Sequence, residues 1–193
     1  DIMPAYHFHE FHATRVHATP ERITRALHEV TPSEIRLFSL LTWLRSPSLR
    51  GLRERAARAE RPILTIMTGG GFMPLAEEPD REIVLGTIGR FWADSTLRVA
   101  TPGEFLAFDR PNWAKAAINF RIENEAGGWC RVTTETRIVG TDDDARRRFA
   151  PYWRVIYPGS ALIRATWLDA VKRRAERTAI GAGAFGESRR RET

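Results

Sequence analysis

The stretch from Trp129 to Glu176, WCRVTTETRIVGTDDDARRRFAPYWRVIYPGSALIRATWLDAVKRRAE, changes its periodicity once, and that change decides the fold. Up to Val139 the residues alternate. Cys130, Val132, Thr134, Thr136 and Ile138 fall on one face of a strand, and Trp129, Arg131, Thr133, Glu135, Arg137 and Val139 on the other. Gly140, Thr141 and the three aspartates that follow supply a turn and a helix N-cap, where carboxylates are favoured by the free N–H groups and the helix dipole. Beyond them Phe149, Trp153, Ile156, Ser160, Ile163, Trp167 and Val171 step by three or four, which places one apolar stripe along a helix. Burying each large member of that stripe contributes about 1.5–3 kcal/mol, so the helix is expected to lie on a sheet. Pro151 and Pro158 are expected to kink it or divide it in two.

Working outward, Ala126-Gly127-Gly128 reads as the turn of a hairpin that joins this strand to an alternating one over 115–125. The region from Pro62 to Ala93, containing ILTIMT and EIVLGTIGRFWA, reads as short antiparallel strands punctuated by Gly and Pro, and Glu104 to Asp109 as another. At the other end of the chain, Ala5 to His17 is an aromatic-rich strand. Thr19-Pro20-Glu21 starts a helix with Ile23, Ala26, Leu27 and Val30 on its apolar side, and Thr31-Pro32-Ser33-Glu34 repeats the signal. A third, charged helical stretch spans 49–60. Strands gathered in one block between helices argue α+β rather than alternating β and α units.

With 193 residues, 42% of them hydrophobic, the chain is long enough for one well-buried domain. The only cysteine, Cys130, excludes an internal disulfide and reads as a small buried residue. No stretch has the length and apolarity of a membrane span, nor does the start resemble a signal peptide. The first residue is Asp1, so a few residues are expected to precede it, and a soluble cytoplasmic protein is expected. The net charge is +6, but only Lys115 and Lys172 are lysines among 30 basic residues, and the arginines are interleaved with acids as on a solvated helix face. Nucleic-acid binding is not expected, because no recognition motif accompanies the charge.

The opening RVHATPERITRAL, the closing RVTTETRIVGTDDDARRRFAPYWRVIYPG and the middle LAEEPDREIVLGTIGRFW resemble the START/SRPBCC superfamily, the helix-grip proteins that include polyketide cyclases and Bet v 1-like proteins. The resemblance implies a curved antiparallel sheet wrapped around a long C-terminal helix, with a central cavity between them. Residues 1–178 are then one START-like domain and 179–193 a disordered tail. The stretch 32–61 exceeds the usual pair of short helices and is expected to serve as a mobile lid. Three functions are compatible with these features. The first is binding, without catalysis, of an apolar or amphipathic small molecule in the cavity. The second is a cyclase or dehydratase-type enzyme, and the third an adaptor whose basic helices meet an acidic partner.

Strand parity selects the candidate residues. If Val16 faces the core, then His12, Glu10 and Phe8 face it too, and a carboxylate beside an imidazole is the one acid/base pair on offer. The bland alternative is a structural pair that satisfies its own hydrogen bonds. Thr134 and Thr136 bring hydroxyls into an apolar wall, suited to a ligand's polar end or to ordinary cross-strand pairing. Tyr152, Trp153, Ile156, Ile163 and Trp167 complete the expected lining from the helix. No metal or other cofactor is expected, since His7, His9, His12 and His17 do not converge from one strand. Thr68-Gly69-Gly70-Gly71 lacks the Lys-Ser/Thr of a phosphate loop, and no GxSxG elbow is present.

Overall fold

A computed structural model describes residues 2–35 and 59–188, with side chains to residue 177. Strand β1 (Phe8–Val16) leads into helix α1 (Pro20–Glu29) and a 3₁₀ turn (Pro32–Glu34). After the undescribed stretch come helix α2 (Ile63–Gly69), strands β2 (Met73–Glu78), β3 (Glu82–Arg90) and β4 (Ser95–Leu97), and helix α3 (Pro102–Ala107). Strands β5 (Ala114–Asn124) and β6 (Cys130–Gly140) precede the long helix α4 (Asp143–Ser188). The six strands form one antiparallel sheet in the order β1-β6-β5-β3-β2, with β4 paired to β3. Helices α1 and α4 pack together, and α4 lies against β1 and β6. The α+β architecture and the long closing helix agree with the reading of the sequence, whereas the central cavity expected between sheet and helix is not seen among the described residues. No helix is long and apolar enough to cross a membrane among the described residues.

The core has two parts on the helix side of the sheet. At one end Val16, Ile23, Leu27, Phe120, Val132, Trp167, Leu168 and Val171 pack between α1, α4 and the strands. At the other, Phe149 at the start of α4 sits among Ala114, Ala116 and Ile138, ringed by Phe8, Phe91, Tyr152 and Trp153. A third cluster, with Phe105 of α3 on Leu75, Ile88 and Ala117, covers part of the opposite face. Two short elements differ from expectation. ILTIMT is helical because Ile63 and Leu64, adjacent in sequence, both reach the core, which a strand would not allow. Residues 102–107 are helical because Thr101 caps them, its Oγ1 accepting from the Glu104 N–H at 3.2 Å while Glu104 accepts from the Ala100 N–H at 2.9 Å.

Helix α4 is also undivided. Pro151 and Pro158 both lie inside it on its exposed side, where water can satisfy the carbonyls that a proline leaves unbonded. It continues to Ser188, past the boundary expected at 178. The proposed lid and the charged helical stretch fall almost wholly within 36–58, outside the described residues.

Candidate functional site

Between the two inner clusters the helix-facing surface turns polar. Parity places Phe8, Glu10, His12, Thr14 and Val16 toward α4, and the register sets Glu10 opposite Thr136 and His12 opposite Thr134. On the far side of β6, Thr136 pairs with Ile118 and Thr134 with Phe120. Glu10 is only 2% exposed. His12 Nε2 lies 2.9 Å from its Oε1, and Ser160 Oγ of α4 donates to its Oε2 at 2.8 Å. One helical turn further along, Arg164 is 8% exposed, its guanidinium 5.4 Å from the Trp167 ring centre and 5.9 Å from that of Phe120. Burial lowers the Arg164 pKa to about 10, with the negative charge of Glu10 acting in the opposite sense.

This belt is short of hydrogen bonds. Arg164 Nη1, Trp167 Nε1 and Thr134 Oγ1 are buried without a partner, as is Thr87 Oγ1 on β3, outside the belt in the row of Ala116 and Ile138. An unpaired buried polar group costs about 1–3 kcal/mol, so four of them on the helix side of the sheet call for an explanation. Above the belt, Ile156, Ser160 and Ile163 are half-exposed although they lie on the sheet-facing stripe. The same helix is tightly buried at Leu168, Ala170 and Val171. The polar belt therefore coincides with the stretch where α4 is least closely covered.

Of the residues selected from sequence, Glu10, His12, Thr134, Thr136 and Trp167 are gathered along this belt, with Ile156 and Ile163 at its edge. Phe8, Tyr152 and Trp153 instead join the aromatic cluster around Phe149, whose ring centre is 4.8 Å from that of Phe8. Sequence reasoning placed Ser160 only as a member of the stripe and did not find Arg164 or Thr87. The spacing of Ser160, Arg164, Trp167 and Val171 puts Arg164 on the buried face, but an arginine in a helix ordinarily reads as solvated. The histidines disperse. His7 Nδ1 accepts from the Gly140 N–H at 3.1 Å, His9 meets Glu135 at 2.7 Å on the other face, and His17 packs on Trp129. No group of three or more His, Cys, Asp or Glu side chains with metal-binding proximity occurs among the described residues.

A concavity of about 630 Å³ opens on the opposite face of the sheet, beside Met3, Phe11, Val84, Asn119, Arg121 and Thr133. Its polar groups largely satisfy one another. Asn119 donates to Glu82 at 2.7 Å and accepts from the Glu135 N–H at 2.9 Å. Glu135 also holds Arg137 at 2.8 Å, while Arg121 lies 3.1 Å from Glu123 as an ion pair whose geometry leaves its buried Nε without a hydrogen bond. A mostly self-paired surface with one unpaired nitrogen, Arg121 Nε, makes a weaker claim on a ligand than the three unpaired groups of Arg164, Trp167 and Thr134. The belt, not this concavity, is the candidate site.

No protein-family model matches the chain, and no curated protein matches it. Among solved structures it is similar to protein MLL2253 from Mesorhizobium loti, at 14% identity and a TM-score of 0.41, over 89% of this chain and 98% of that one. It is similar also to hypothetical protein jhp0584 from Helicobacter pylori, at 9% identity and a TM-score of 0.39, over 90% and 97% of the two chains. The similarity to TTHA0849 from Thermus thermophilus is 12% identity and a TM-score of 0.34, over 89% and 99%.

Proposed function

We propose that the protein binds a small amphipathic molecule between the sheet and α4, with the molecule's polar end on the belt of Glu10, His12, Ser160 and Arg164. The observation that carries this reading is the set of buried donors and hydroxyls without partners, Arg164 Nη1 foremost. A ligand oxygen within reach would satisfy them and remove the cost of leaving them unpaired. The apolar remainder of the molecule has neighbours on either side, the Trp167–Phe120 pair and the aromatic cluster at Phe149. The half-exposed edge at Ile156, Ser160 and Ile163 offers the route in. Native mass spectrometry of freshly purified protein tests the reading. A small molecule that co-purifies with wild type and is lost from Arg164→Met supports it, and bare protein that takes up no amphipathic compound on titration counts against it.

A second reading has a specific observation in its favour. The 2.9 Å contact between Glu10 and His12 is the geometry of a carboxylate that orients an imidazole for proton transfer. A cyclase or dehydratase would use such a pair as acid and base. Binding alone is preferred because Glu10 is engaged at both oxygens, by His12 and by Ser160, which suits a fixed anchor. In the adaptor alternative, basic helices meet an acidic partner and the cavity is vestigial.

A further inference from the structure

We infer that the ligand of this belt is electrically neutral and presents a carbonyl oxygen to Arg164 and a hydroxyl to Glu10, so that the site discriminates against carboxylates. The inference rests on the binding reading above and adds the chemical class of the ligand.

A buried arginine with an unpaired nitrogen ordinarily suggests a carboxylate as its missing partner, because the guanidinium fork matches that anion. Here the anion is already built in. Glu10 reaches the same belt from β1, is 2% exposed, and is held by Ser160 one helical turn from Arg164. Its charge acts on Arg164, yet no direct ion pair joins the two side chains, so the guanidinium is compensated in charge while a donor stays open. A second carboxylate at that donor would place two anions on one cation in a setting of low dielectric, where like charges repel most strongly. A neutral carbonyl oxygen takes the Nη1 hydrogen without that repulsion. Glu10 has acceptor capacity beyond its two present bonds, since a carboxylate offers about four lone-pair sites, and a ligand hydroxyl fits one of them. Thr134 Oγ1, in register with His12, supplies a further donor or acceptor. The rings of Phe120 and Trp167, in contact with each other beside Arg164, offer aromatic surface suited to a flat apolar body.

Three probes on one naphthalene frame separate the charge classes: 2-acetylnaphthalene as a neutral carbonyl, 2-naphthol as a neutral hydroxyl, and 2-naphthoate as the anion. Affinities are measured by isothermal titration calorimetry at pH 8.5, and the indole N–H of Trp167 is followed by NMR to confirm the site. In wild type the ketone and the naphthol are expected to bind at least tenfold more tightly than the carboxylate. Glu10→Gln preserves shape and removes the built-in anion, so it is expected to improve 2-naphthoate at least tenfold and reverse the order. Arg164→Met is expected to weaken the ketone at least tenfold. A wild-type preference for 2-naphthoate overturns the inference without requiring any variant to fold, and leaves the binding reading intact. The same holds if a folded Glu10→Gln retains the wild-type order. If no probe binds wild type or moves the Trp167 signal, and no molecule co-purifies, the binding reading itself is overturned, and the inference with it.

Discussion

Arg164 carries a cost that ordinary folding would not retain. Burial pulls its pKa down to about 10, which corresponds to about 3 kcal/mol spent on keeping the charge buried. Replacing a buried charge by an apolar side chain of similar length is commonly neutral or stabilising. Arg164→Met is therefore expected to leave the ligand-free protein as stable as wild type or raise its urea midpoint, even as it abolishes binding. The pH dependence has a definite sign. The folded-state pKa lies below the unfolded one, so above about pH 10 the unfolded chain binds more protons and stability rises with pH. The deficit of wild type against Arg164→Met is thus full at pH 7 and shrinks above about pH 10, which urea melts of both proteins at pH 7 and pH 11 would show. Trp167 behaves in the opposite way. It is 3% exposed, with its ring centre 4.7 Å from that of Phe120, and Trp167→Ala is expected to cost about 3–5 kcal/mol in the same melts.

At the scale of elements, the junction of β6 with α4 is a tight seam. A Cβ on Gly140 would stand 2.8 Å from the backbone nitrogen of Arg146, and backbone inside a helix cannot yield as a flexible side chain does. Asp142 fastens the same corner, accepting from the Ala145 N–H at 2.7 Å and from the Asn112 N–H at 2.8 Å. Gly140→Ala is expected to cost about 1–3 kcal/mol by overpacking, read as a lowered thermal midpoint. This seam was legible in the sequence as a change of period from two to 3.6 with a run of aspartates, because strand and cap signals are local. The short helices were less legible. Thr101-Pro102-Gly103-Glu104 carries the same Thr-Pro start that correctly marked α1 at Thr19-Pro20, yet Phe105 and Leu106 beside it suggested a strand. In α2 the β-branched residues Ile63, Thr65 and Ile66 favour extension locally, and packing of Ile63 against the first cluster outweighs that preference.

Over the whole molecule, the helix side of the sheet is two apolar clusters with a polar seam between them, and its least protected part is the middle of α4. Amides of 156–163 are expected to exchange with solvent faster than those of 164–175, since the former segment is half-exposed where the latter is buried. A ligand in the belt would slow the first group selectively, and at a hundred times its Kd would stabilise the protein by about 2.7 kcal/mol. Equal exchange in both segments, with and without a bound molecule, would locate the opening elsewhere. The amino-acid sequence by itself determined the opening strand and helix, the antiparallel hairpin of β5 and β6, the inward parity of Glu10 and His12, and the apolar stripe of α4. All of these follow from periodicities of two and 3.6 acting over a few residues. Only the tertiary structure decided that Ser160 meets Glu10 from 150 positions away and that Arg164 turns inward rather than to solvent. The physical reason is that a charged residue's burial depends on which distant strand lies over it, and no local propensity of the chain records that.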